Sequence, residues 1–324
     1  MPKPVVVCVG PQIIDVLIHP VTAIPTGQGG LLLDDARITA AGTAAGTAVD
    51  LAKLGAQAFS IGAIGNDTAG RLLRLLFEEH GVDCSRLVTK AGEQTSTTVL
   101  PIRPNGERPS MHLAGATASL TANDLDWNLI ADADVLHVGG PDALGEFGID
   151  VAPRLLRFAR EHSTMTTVDL LRSHVAADFV DQLADAWPYV DYFLPNDDQL
   201  RKLTGIEDLH AAGMAMCRRG VGTVAVTAGA DGSFLITKGD IEHIPAIPTR
   251  VVDTTGCGDA YTAGLIVGLQ RGWSPGLAGR LGTASASLVA QGLGSDAGIV
   301  DLDSTLRYWT EHADRLGAVP QSHA

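Results

Sequence analysis

Two kinds of apolar pattern alternate along the chain. Short continuous apolar runs, each bounded by turn residues, read as buried strands: "VVVCVG" (5–10), "AFSIGAIG" (58–65), "ADVLHVGG" (133–140), "MTTVDLL" (165–171), "VDYFLPN" (190–196) and "GTVAVTAG" (222–229). Between them, "AAGTAVDLAKLG" (44–55), "TAGRLLRLLFEEHG" (68–81), "VAPRLLRFAREH" (151–162) and "DDQLRKLTG" (197–205) carry apolar residues at helical spacing. Gly55 and Gly81 supply helix stops, and Asp67 supplies a cap. Strands that are apolar throughout, alternating with helices, predict a parallel sheet covered on both faces.

Two stretches interrupt this rhythm. Residues 15–40 are strand-like with Pro and Gly turns, and residues 95–113 read as a hairpin around "PNGE", because Asn-Gly favours a tight turn. Two placements are open for them: a small β layer projecting from the main sheet, or ordinary edge strands.

Composition narrows the function. The 324 residues are 45% hydrophobic and 19% charged, as in a soluble globular protein. A net charge of −14 argues against a nucleic-acid surface and against an anionic membrane. Cysteines 8, 84, 217 and 257 form no C-x-x-C pair, which fits a reducing cytoplasm better than a disulfide framework or a zinc site. No apolar stretch has the length of a transmembrane helix, and the N-terminal run is too short for a signal peptide, so a cytoplasmic location is expected.

The candidate chemistry lies in "DTTGCGDAYTAG" (253–264). Glycines at 256 and 258 let backbone approach an anion closely, and the helix that follows offers free N–H groups and a positive dipole end. Such a loop suits charge developing on a phosphoryl group. Asp259 is either a general base that takes a proton from an attacking hydroxyl or simply a helix cap. A dinucleotide loop is excluded by Tyr261, and a Walker A loop by the absence of any Gly-Lys pair.

With its Asp-Thr-Thr run, its Gly-small-Gly-Asp core and the small residues behind it, this stretch resembles the C-terminal signature of the ribokinase-like (PfkB) family of carbohydrate and nucleoside kinases. The resemblance extends to "AAGTAAGTAVDLAKLGAQAFSIGAIGNDTAGR" (40–71), "STTVLPIRPNGERPSMHLAGATASLT" (96–121), "PNDDQLRKLTG" (195–205) and "VTAGADGSFLIT" (226–237), in family order over nearly all of 5–300. It implies an α/β fold: a ribokinase-like three-layer α/β/α sandwich with a mostly parallel central sheet. It also implies one kinase domain over 1–324 with a small β lid from about 15–40 and 95–113. The activity implied is ATP- and Mg²⁺-dependent phosphotransfer to a hydroxyl of a small sugar, with a nucleoside kinase or a non-catalytic sugar sensor as rivals. Exposed lid strands could also pair two chains into a homodimer.

Carried over by position, the resemblance makes Asp259 the base and Gly256, Cys257 and Gly258 the anion hole. Thr227, Gly229 and Gly232 line the ATP side, near Asn196. Asp253 and Thr255 stand where many members bind K⁺. Asp15 takes the place of the sugar-binding aspartate, and Gly42 and Thr43 begin the second substrate turn. Three positions depart from the pattern: Gly46 replaces an asparagine, Thr43 replaces the lysine of ribokinase, and Gln199 replaces a glutamate of the magnesium–phosphate water network, with Asp197 and Asp198 beside it. Asp169 and Arg172 close a strand as a substrate contact or an ion pair. Aromatic residues make up only 5% of the chain, which favours a sugar over a stacked nucleobase.

Overall fold

The computed structural model describes residues 2–172 and 178–320. Its strands are β1 (Val5–Val9), β2 (Ile13–His19), β3 (Asp35–Ala41), β4 (Gln57–Gly65), β5 (Leu87–Lys90), β6 (Ser96–Pro101), β7 (Met111–Leu113), β8 (Val135–Gly139), β9 (Met165–Asp169), β10 (Tyr192–Phe193), β11 (Thr223–Thr227), β12 (Ser233–Ile236) and β13 (Ile241–Ile244). Nine form one sheet in the order β13-β12-β11-β10-β9-β8-β1-β4-β5. It is parallel from β5 to β11, and β12 and β13 add antiparallel strands at one edge.

β1 shows why these strands are apolar throughout. Val6 and Cys8 enter the core on one face, and Val7 and Val9 enter the core on the other. The first core is closed by helices 45–53, 68–80, 257–270 and 275–289, and the second by 152–161, 197–204 and 209–218. The result is the expected three-layer α/β/α sandwich. Asp67 caps its helix by accepting from the Gly70 N–H, and Gly81 ends it in the left-handed region.

The interrupting segments form a separate four-stranded sheet, β3-β2-β6-β7, and are therefore a lid layer. The hairpin is looser than the Asn-Gly pair suggests. The strands stop at Pro101 and resume at Met111, with Asn105 and Gly106 turning inside a longer excursion. Pro101, Pro104 and Pro109 have no N–H to donate, so the ladder cannot continue to the turn. No helix among the described residues is long and apolar enough to cross a membrane.

Helix 257–270, which carries the candidate base, is held against 275–289 at backbone distance. A Cβ on Gly264 would lie 2.7 Å from the Gly282 Cα, and one on Gly268 would lie 2.6 Å from the Ala278 Cα. Small residues on this face therefore fix the helix, and with it the position of its first turn.

Candidate active site

The helix begins from a left-handed turn. Gly256 has φ of +78°, and a Cβ there would stand 2.4 Å from both the Cα and the carbonyl oxygen of Ser295, so only glycine fits. Cys257, Gly258 and Asp259 are the first three helical residues. Their amides have no preceding turn to bond to, and the Cys257 N–H reaches the Thr254 carbonyl only at 3.4 Å. Nothing lies within 4 Å of the point where a Gly258 Cβ would be. Gly258 and Cys257 line a cleft of about 1150 Å³, and Asn196, Thr227, Gly229 and Gly232, all expected on the nucleotide side, line it too.

Asp259 faces the other way, toward helix 45–53. The Thr47 hydroxyl donates to its Oδ1 at 3.4 Å. Gly46 leaves the space its Oδ2 occupies, since a Cβ at 46 would stand 2.7 Å from that oxygen. The N-cap position belongs to Gly256, and the Asp259 side chain makes no capping bond, so the cap reading of this residue is set aside. Burial, then the Asp15 charge, push the Asp259 carboxyl up to about 7, with Thr47 and Arg108 pulling the other way.

Asp15 sits on β2 between Thr39 of β3 and Thr98 of β6, so one carboxyl is flanked by two hydroxyls. Burial raises it to about 6 against the lowering hydrogen bond from Thr98. The Gly42 carbonyl accepts the Gly46 N–H at 2.8 Å, closing the turn that presents Thr43. The Thr43 hydroxyl is buried without a hydrogen-bond partner.

His137 holds this turn in place. Its Nε2 donates to the Thr43 carbonyl at 2.8 Å, and its Nδ1 accepts from the Thr167 hydroxyl at 2.9 Å. Burial takes the imidazole down to about 4, so it is a neutral strut between β8, β9 and the turn. Its only signal in the sequence is a histidine inside the apolar run "ADVLHVGG".

Asp253 is fully buried. Its Oδ1 accepts the N–H and hydroxyl of Thr255, and its Oδ2 accepts the Gly294 N–H. It thereby ties the 253–256 loop to the 290–295 loop. Burial, with the carboxylates of Asp253, Asp259 and Asp50, pushes the Cys257 thiol up to about 12, so it stays protonated at neutral pH. Asp169 and Arg172 do not pair with one another among the described residues. Asp169 is held well above the usual carboxylate range by burial and by Asp259.

Gln199 is held by hydrogen bonds within the chain. Its Oε1 accepts the Asn196 N–H at 2.9 Å, and its Nε2 donates to the carbonyls of Leu170 and Arg172 at 3.0 and 3.2 Å. The amide is buried and spends its polar atoms on a capping box and a loop. Gln199→Glu is accordingly expected to destabilise the fold by about 1–3 kcal/mol, because a carboxylate cannot donate to two buried carbonyls. A thermal melt of the variant that matches the wild type would contradict this. Asp197 and Asp198 line the cleft and pair with Arg201 and Lys202 one turn along.

One cation of the site has no local signal in the sequence. Arg108, in the hairpin excursion, donates its Nε–H to the Thr254 hydroxyl at 3.1 Å and so bridges the lid to the glycine loop. Gly106 approaches the same segment, near Val251 and Val252.

The chain is similar to known kinases. A ribokinase from Haemophilus influenzae is 26% identical over 284 residues, which cover 86% of this chain and 89% of the relative. An aminoimidazole riboside kinase from Salmonella typhimurium is 29% identical over 242 residues, covering 71% and 73%. The structure of Arabidopsis thaliana ribokinase complexed with ribose and ATP superposes with a TM-score of 0.78 at 23% identity, covering 95% of this chain and 99% of that one. The family model described as pfkB family carbohydrate kinase matches residues 3–301. With the glycine–aspartate helix start and the lid both inside that match, the chain belongs to the pfkB carbohydrate kinase family, whose members are ATP-dependent phosphotransferases.

Proposed function

We propose that this kinase transfers the γ-phosphoryl group of ATP to a primary alcohol of a small sugar or sugar derivative. One observation carries the reading: the start of helix 257–270 has open backbone at Gly258 toward the cleft and a buried carboxylate at Asp259 on its other side. ATP in the cleft would lay its terminal phosphate against the amides of 257–259. An acceptor held by Asp15 and the Gly42–Thr43 turn would place its hydroxyl at Asp259. The carboxylate takes the hydroxyl proton, the oxygen attacks the γ-phosphorus in line, the bond to the β-phosphate oxygen breaks, and ADP leaves. The first-turn amides stabilise the charge on the group in transit.

Carboxyl and hydroxyl groups at 15, 39, 43 and 98 suit a polyol. Magnesium bound with ATP neutralises phosphate charge, and the carboxylates of Asp197 and Asp198 on the cleft wall fit it by donor chemistry. The lid of 15–40 and 95–113 would close over the acceptor and exclude water. Exposed Ile38, Met111 and Leu113 on its strands would suit pairing with a second copy. An ADP-release assay over sugars, polyols and nucleosides tests the reading. Release with nucleosides alone would make this a nucleoside kinase, and no acceptor-dependent release at all would favour a sensor.

A monovalent cation fits at Asp253. Its carboxylate is fully buried and accepts three donors, none of them a cationic side chain. K⁺ would lock the 253–256 loop against 290–295 and so order the anion hole. Replacing a bulky organic cation with K⁺ at fixed ionic strength is expected to raise both kcat and melting temperature. Equal values in the two salts would remove the cation from this account.

A further inference from the structure

Among the described residues, the two arginines of the lid excursion are treated differently. Arg103 is neutralised by Glu107 at 3.0 Å. Arg108 has no carboxylate within ion-pair range and reaches instead across to Thr254, two residues before Gly256. From there it lines the nucleotide cleft beside Cys257 and Gly258. Its charge is also felt on the acceptor side, at Asp15 and Asp259. A guanidinium is thus held between the two halves of the site, on an element that belongs to the lid. An arginine presents planar, bidentate donors matched to phosphate oxygens.

The charge balance calls for such a group. In a protein of net charge −14, the charges of Asp253 and Asp259 reach Cys257 and that of Asp15 reaches Asp259, and ATP would add further negative charge there. We propose that Arg108 is a catalytic residue whose guanidinium grips the γ-phosphoryl group as it passes from ATP to the acceptor, so that the lid supplies the cation only when it covers the site. This inference rests on the kinase reading above. It adds that the lid takes part in the chemistry and does more than exclude water.

Direct binding of MgATP and MgADP, measured calorimetrically for wild type, Arg108→Gln and Thr254→Val, tests it. Arg108→Gln is expected to weaken ATP binding about tenfold, in line with loss of a charge-assisted contact, and to leave ADP binding within about twofold. Its kcat should fall by about 10³-fold or more, as for other arginines that neutralise a transferring phosphoryl group. Arg108→Lys should recover part of both losses. Thr254→Val removes only the latch and should keep the preference for ATP over ADP. Equal weakening of ATP and ADP would overturn the proposal. So would unchanged nucleotide binding with a raised acceptor KM alone, which would assign the guanidinium to an anionic acceptor, or an ATP-specific loss reproduced by Thr254→Val. Failure of the wild type to bind either nucleotide would instead remove the kinase reading itself, and this proposal with it.

Discussion

Asp259→Asn is expected to lower kcat by about 10²–10⁴-fold, the usual contribution of a positioned base, while making the protein more stable at alkaline pH. The amide cannot take the acceptor's proton. Helix capping does not enter, because Gly256 holds the N-cap position and the Asp259 side chain makes no capping bond. The stability effect follows from the direction of the shift. Burial lifts this carboxyl from an ordinary 3.8 to about 7, so folding favours its protonated form. That contribution is complete below about pH 4 and is lost as the pH rises through about 7, above which an ionised carboxylate is buried at a cost. Asparagine carries no such cost. The stability gap in favour of the variant should therefore widen between pH 5 and pH 8, by up to about 3 kcal/mol. In the wild type, kcat/KM should climb with pH and level off above about 7, when the base is ionised, and the variant should lack this limb. An Asp259→Asn protein with near-normal turnover and an unaltered pH profile would falsify the assignment of the base.

The parallel sheet was legible because its strands are buried on both faces and so carry no polar alternation to confuse with a helix. Helix 68–80 was legible because Asp67 and Gly81 mark its ends chemically. Helix 275–289 was less legible. Its sequence, "PGLAGRLGTASASLV", is rich in small residues and buried on most sides, which leaves little amphipathic contrast. The hairpin was legible in its turn and in the pairing of β6 with β7, but an Asn-Gly signal is local, and three prolines in the same stretch end the ladder before the turn. The site divides in the same way. Gly256 to Asp259 are contiguous, and their meaning travels with the motif. Thr47 meets Asp259 across 212 positions of chain, and Arg108 meets Thr254 across 146. No local pattern marks such pairs, because the topology alone brings them together. Gly46 belongs to this second group. In the sequence it is a missing asparagine, and in the structure it is the space into which the Asp259 carboxylate leans.

Gly46→Ala is therefore expected to lower kcat by about 10–10²-fold without a matching loss of stability. Gly46 lies inside helix 45–53 with no positive φ, so its backbone makes no demand for glycine. By helix propensity alone alanine would gain about 1 kcal/mol there. The new methyl would instead stand 2.7 Å from the Asp259 Oδ2 and 3.2 Å from its Cγ. Helix 45–53 cannot retreat, since Ala45, Ala48 and Val49 are buried in the core around it. Helix 257–270 cannot retreat either, because its glycines touch the backbone of 275–289. The carboxylate is the part free to turn, and turning it takes Oδ1 away from the Thr47 hydroxyl and the base away from the acceptor. Misplacing a reacting group by about 1 Å is enough to cost about 10²-fold in rate. Gly46→Asn, which restores the asparagine of the sugar-binding pattern, should reduce turnover at least as much, because the base here already occupies that side chain's root. The measurement is kcat together with melting temperature for both variants. Turnover near the wild-type value in Gly46→Ala would mean that the position of the Asp259 carboxylate against helix 45–53 does not set the rate.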